Sequence, residues 1–340
     1  MIINKKVVIN IIAIILAGVL AYIFVYSKIE YGEVFNALNG VNYYYLLLGI
    51  TLMGVFILCE GLNILSTISL NGIESKWSHI KYASAGFFFS SVTPSSTGGQ
   101  PMQLIMMRKD GYGTGISALA LFLEGASFQI GSIVFGVTAA IYLMAMETDM
   151  PSGTALMFLI GLLANGVVLL IYILCAFKIE LIKKLVGLIR LVLRFLGLTK
   201  SDKKEEEIDN KIEEYKRMGV YIKGNKQKLL KMITRSLIQL LAYNSITLIV
   251  CLSLGISVNP ILIILIQSVV NVSVSMLPVP GTIGVNETVF TVILSQLLGG
   301  PMAGTVAILT RLINFYIPVL ITGMITMANY RCVRLEHNIH

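Results

Sequence analysis

Apolar runs of about twenty residues recur along this chain, at roughly 7–26, 44–70, 115–144, 154–177, 233–254 and 303–328. A helix rises about 1.5 Å per residue, so about twenty residues cross a hydrocarbon core of about 30 Å. A chain built this way belongs in a bilayer, and composition agrees. Apolar residues fill 56% of the 340 positions and charged residues 13%, against about 45–50% and about 25% in a soluble domain. The first run follows Lys5 and Lys6. It is too long for a secretory signal and has no small-residue cleavage site after it.

Two further apolar stretches are interrupted. Residues 82–107 are broken by Ser90-Ser91-Val92-Thr93-Pro94-Ser95-Ser96-Thr97-Gly98-Gly99-Gln100-Pro101, and residues 260–298 by Leu277-Pro278-Val279-Pro280-Gly281-Thr282-Ile283-Gly284-Val285-Asn286-Glu287. The arms of the first are too short to span separately, so both stretches are expected to be hairpins that enter the membrane and return. Each is preceded by one crossing and followed by another. The fold class expected is therefore an all-α polytopic membrane protein with about six transmembrane helices and two oppositely oriented re-entrant helical hairpins, an inverted repeat within one integral membrane domain. The repeat units are 44–144 and 233–328, joined by a basic linker over 178–231.

Charge tests this plan. Of 26 Lys and Arg, 24 fall on the face that would carry both termini: Lys5, Lys6, Lys76, Lys81, Arg108, Lys109, Arg235, Arg331, Arg334 and the fifteen between Lys178 and Lys231. Lys28 lies opposite, beside Glu30, Glu33, Glu147 and Asp149, and Arg311 lies within a crossing. By the positive-inside rule both termini are cytoplasmic in a cell membrane. The net charge of +8 thus belongs to topology, and nucleic acid is not expected as a partner. Within the linker, 181–198 reads equally well as a helix on the inner surface or as an extension of the preceding crossing. The remainder, with Lys203-Lys204-Glu205-Glu206-Glu207, is a solvated segment whose positive charge suits anionic lipid.

Backbone that is not helical at membrane depth must lie against protein or a wet cavity, so the two interruptions imply a polar interior. Thr93, Pro94, Gly98, Gly99 and Gln100 in the first and Pro278, Pro280, Gly281, Gly284 and Glu287 in the second are the candidate lining. Short-helix N-termini there could hold an anionic lipid phosphate. Hydroxyls and glycines also serve tight helix packing. Glu60, Glu124 and Arg311 lie inside predicted crossings, where each costs about 2.5–3.5 kcal/mol on insertion scales. Gln100 to Glu124 and Glu287 to Arg311 are both 24 positions, which leads us to expect a Glu124–Arg311 pair across the repeat axis. Asn244, Gln267, Asn271, Asn286 and Asn314 are expected to stitch helices. The Asn286-Glu287-Thr288 sequon sits at a predicted hairpin tip and is discounted.

No catalytic or metal-binding motif is present. Cys59, Cys175, Cys251 and Cys332 are widely spaced and read as packing residues, and His79, His337 and His340 are dispersed. Neither a metal nor another cofactor is expected.

The two interruptions, with Thr93-Pro94, Gly98-Gly99-Gln100-Pro101 and Gln103, then Leu277-Pro278, Pro280-Gly281, Gly284-Val285, Glu287 and Arg311, resemble the flippase-like membrane domain of bacterial lysylphosphatidylglycerol synthases and their stand-alone relatives. The likeness covers nearly the whole chain. In bifunctional members a soluble domain attaches an amino acid to phosphatidylglycerol and the membrane domain moves the product outward. The resemblance implies a stand-alone translocation module without the synthase activity, therefore not an enzyme, acting on a phospholipid or an aminoacyl- or glyco-modified lipid. Many relatives have Glu where this sequence has Gln100. A membrane-embedded transferase using a lipid-linked donor and a non-transporting assembly subunit are the other readings, and self-association into a homodimer stays open.

Overall fold

A computed structural model describes residues 40–68, 77–147, 150–178, 215, 219–220, 224–275 and 277–336. Ten α-helices follow in order among them: α1 (Tyr43–Ile68), α2 (Ser78–Val92), α3 (Gly99–Lys109), α4 (Thr114–Ala145), α5 (Ser152–Phe177), α6 (Lys226–Ser253), α7 (Pro260–Val274), α8 (Val285–Leu298), α9 (Gly300–Arg311) and α10 (Ile317–Glu336). Five expected crossings coincide with α1, α4, α5, α6 and the continuous Gly300–Asn329 segment, all long and apolar enough to span. Pro280–Leu298, the second arm of the second hairpin, also reaches that length. The expected crossing at 7–26 and helix at 181–198 lie outside the described residues.

Local chemistry sets the ends. Asn259 caps α7 by accepting from the Ile261 and Leu262 N–H groups at 3.0 and 3.2 Å, and Pro260 occupies the first turn, where no N–H is needed. In the last segment, Pro318 cannot donate to the Asn314 carbonyl four residues back. The helix widens into a π turn over Leu312–Tyr316 just before it.

The two interruptions share one backbone conformation. Thr93 and Val279 are extended, and Pro94–Ser96 and Pro280–Thr282 form single 3₁₀ turns. Their second and third residues are left-handed: Ser95 (φ 49°) and Ser96 (55°) in one, Gly281 (57°) and Thr282 (52°) in the other. Three non-glycine residues thus sit where L-residues incur about 1–2 kcal/mol each. Strain repeated at equivalent places marks a built feature.

The units are inverted. α1 runs antiparallel along α6: Asn42 N–H donates to Ser253 O at 2.9 Å, Gly49 faces Ile249, and Asn63 Nδ2 reaches Ser236 Oγ at 3.0 Å. The two 3₁₀ turns also meet each other. An antiparallel pair and a turn–turn contact are both self-related, as a pseudo-twofold axis requires. Off that axis, α2 packs on α10 as α7 packs on α4. Gly323 admits Phe88 in the first contact and Gly136 faces Val272 in the second. Small residues allow this close helix approach.

Outside the bundle, α5 displays Leu156, Leu159, Ile160, Leu163, Val167 and Leu170, all more than half exposed. That stripe suits hydrocarbon and not water. Inside, Thr247 donates to Gln267, Gln267 to Asn271 and Asn271 to Asn244, a chain of amides joining α6 to α7. Cys59, Cys175 and Cys251 are buried free thiols.

Candidate functional site

The second turn is held by one ion pair. Glu287, in the first turn of α8, accepts from the Gly284 N–H through Oε2 at 2.8 Å, and its other oxygen accepts from Arg311 Nε at 3.0 Å. A carboxylate at a helix N-terminus also meets the positive end of the helix dipole. Arg311 Nη2 donates to Gly281 O at 2.8 Å, directly on the left-handed residue. The guanidinium lies 4.2 Å from the Phe315 ring centre, a cation–π contact. Both charged side chains are at most 6% exposed. The arginine is therefore fully engaged in holding the tip of the hairpin.

This corrects the expected Glu124–Arg311 pair. The guanidinium takes Glu287 from its own repeat unit, because the Gly284 cap already fixes that carboxylate beside the turn. The 24 positions from Glu287 to Arg311 separate the two members of this pair, whereas Gln100 and Glu124, equally spaced, are not bonded to each other.

The first hairpin is built on glycine contact and hydroxyls. Thr93 Oγ1 donates to Phe89 O at 2.7 Å and accepts from the Gly98 N–H at 2.8 Å, closing the turn after Pro94. A Cβ on Gly99 would come within 2.1 Å of Ser90 Oγ, so only glycine lets α3 lie this close to α2. At the far end Lys81 pairs with Asp110, which also accepts from Tyr82 OH. Ser95, Ser96 and Thr97 remain exposed at the tip.

Glu60 and Glu124 gather behind this hairpin. Gln103 Nε2 donates to Glu60 Oε1 at 2.7 Å and lies against Gly86. One turn earlier on α3, Gln100 Nε2 reaches Leu121 O at 3.5 Å, one turn before Glu124. Glu124 itself is 7% exposed, on the helix that packs against α1 and its Glu60. Gly125 beside it abuts the Tyr172 ring.

The candidate residues thus form two groups joined at the turns: Glu60, Glu124 and Gln100 behind the first, and Gly281, Gly284, Glu287 and Arg311 behind the second. Pro278 and Pro280 lead into the second turn, and Gly281 touches the Ser91 carbonyl of the first hairpin. Gln103 was legible only through the family likeness, although it lies three residues from Gln100 and so on the same helix face. Tyr172 carried no local signal. Among the described residues no group of three His, Cys, Asp or Glu could hold a metal.

An inverted repeat of membrane-spanning helices around two broken segments is the architecture of a polytopic membrane protein with its polar residues at the repeat interface. The chain belongs to the family described as the lysylphosphatidylglycerol synthase TM region, which it matches over residues 10–322. It is also similar to a UPF0104 membrane protein of Pyrococcus horikoshii, 26% identical over 255 residues that cover 72% of this chain and 74% of the relative.

Proposed function

We propose that the protein moves a phospholipid, or a lipid carrying an added amino acid or sugar, between leaflets of the cell membrane. The observation that carries this reading is the meeting of two broken-helix turns on the axis of an inverted repeat, with non-helical, hydroxyl-lined backbone where a lipid head group needs polar company. Membrane relatedness of the family supports it. In this reading the hairpins are re-entrant from opposite sides, both termini are cytoplasmic, and the acyl tails stay in lipid while the head group follows the seam.

An anionic phosphate meets the exposed Ser95, Ser96 and Thr97 hydroxyls and the N-terminal turn of α3, where unpaired N–H groups favour negative charge. Arg311 serves the passage indirectly, by fixing the turn that faces them. The protein is then a transporter and not an enzyme. Reconstitution into liposomes with head-group-labelled lipids tests this: an accelerated approach to leaflet equilibrium is expected for at least one anionic or aminoacylated head group. Equal rates with and without protein for every head group tried would reject the proposal.

A further inference from the structure

Glu60 and Glu124 pose a charge problem that the second hairpin has solved for its own acid. Glu287 has Arg311 and a helix cap. Glu60 has one neutral donor, the Gln103 amide. Glu124, more than nine-tenths buried, has no hydrogen-bond partner among the described residues; its helix packs against α1, which carries Glu60, and its neighbour Gly125 abuts the Tyr172 ring.

The basic groups on the surrounding helices are occupied elsewhere. Arg235 on α6 donates to Leu62 O and Ser66 Oγ, Lys228 to Ser66 O, Lys81 on α2 pairs with Asp110, and Arg311 with Glu287. Arg108 and Lys109 lie at the base of α3, beyond the polar face that carries Gln100 and Gln103. The remaining titratable groups are His79 and Tyr82 on α2, Cys59 on α1, Tyr172 and Cys175 on α5, and Tyr243 on α6. None forms a salt bridge with either glutamate among the described residues.

A carboxylate as deeply buried as Glu124, with a second acid on the helix packed against its own, is not held ionised without a cation. A metal ion would want several more oxygen or nitrogen ligands than this pair offers. A proton needs none, and a buried carboxyl can hold it. We propose that Glu60 and Glu124, steadied by Gln103, form a proton-binding site that carries one proton, and that loading and emptying this site couples lipid movement to a proton gradient. The coupling rests on the lipid-transport reading, whereas the proton binding does not.

Infrared spectroscopy of the purified protein in lipid nanodiscs addresses the proton directly. Near neutral pH one protonated-carboxyl band is expected, shifting in D₂O. It titrates at lower pH in Glu124→Gln, where repulsion from the second acid is gone, and is absent from the Glu60→Gln/Glu124→Gln double variant. No such band in the wild type, a measurement that depends on no variant, overturns the site. So does a band that survives in the double variant, or one that appears only when sodium is replaced by choline, which would make sodium the occupant.

Coupling is read in proteoliposomes with an imposed pH gradient. One proton per lipid predicts about a tenfold leaflet asymmetry per pH unit, lost in the double variant. Flipping that ignores the gradient removes the coupling and leaves transport intact. A protein that flips no lipid but shows the band removes transport and coupling together and leaves the proton site standing.

Discussion

At the scale of single residues, Arg311 shows how one buried charge can be fully used by structure. Its Nε, Nη2 and the flat face of its guanidinium are committed to Glu287, Gly281 O and Phe315. Removing one partner of such a pair leaves the other charge buried and alone, at about 3–5 kcal/mol, whereas removing both can be nearly neutral. Thermal unfolding in micelles should therefore show Arg311→Met strongly destabilised and the Arg311→Met/Glu287→Gln double variant less so than either single loss summed. Simple additivity would mean that the pair is not energetically coupled. Arg311→Lys keeps the charge without the planar fork and should fall between, because it cannot serve Glu287 and Gly281 O together.

The broken hairpins operate at the scale of elements, and there the glycines discriminate. Gly281 and Gly255 both have positive φ (57° and 71°), but a Cβ on Gly281 would approach the Phe315 ring to 2.2 Å while one on Gly255 would meet nothing within 4 Å. Gly255→Ala should therefore incur only the backbone term, about 1–2 kcal/mol. Gly281→Ala adds displacement of the ring that covers Arg311, and should lose more stability and slow lipid movement as well. Equal unfolding midpoints for the two variants would show that the ring yields freely. The recurrence of the same left-handed pair in Ser95–Ser96 and Gly281–Thr282 could not be read from sequence. Serine and threonine carry no signal for positive φ, and it is the Pro before each pair and the packing of the two turns that impose it.

For the whole molecule the decisive relation is the antiparallel contact of α1 with α6 around the axis on which the turns meet. It predicts a disulfide. With the native cysteines replaced, Gly49→Cys and Ile249→Cys place their side chains together, since a Cβ on Gly49 lies 3.8 Å from the Ile249 Cγ2 methyl, which is bonded directly to the Ile249 Cβ. Gly49→Cys with Met232→Cys should not link, because Met232 lies at the opposite end beside Asn63. A gel shift for the second pair and none for the first would exclude the antiparallel arrangement.

Residence in a bilayer, the positions of α1, α4, α5 and α6, and the two interruptions were determined by the sequence alone, because hydrophobic length and Gly/Pro chemistry act locally along the chain. The family likeness was legible for the same reason, in short motifs held in order. Charge partners were not. Equal spacing in two repeats pointed Arg311 toward Glu124, yet the tertiary structure gave it to Glu287, since the helix cap at Gly284 brings that carboxylate to the turn first. It also left Glu124 buried without a charge partner, on a helix packed against the one that carries Glu60. Which buried charge meets which depends on how separate helices pack in three dimensions, and no one-dimensional spacing contains that.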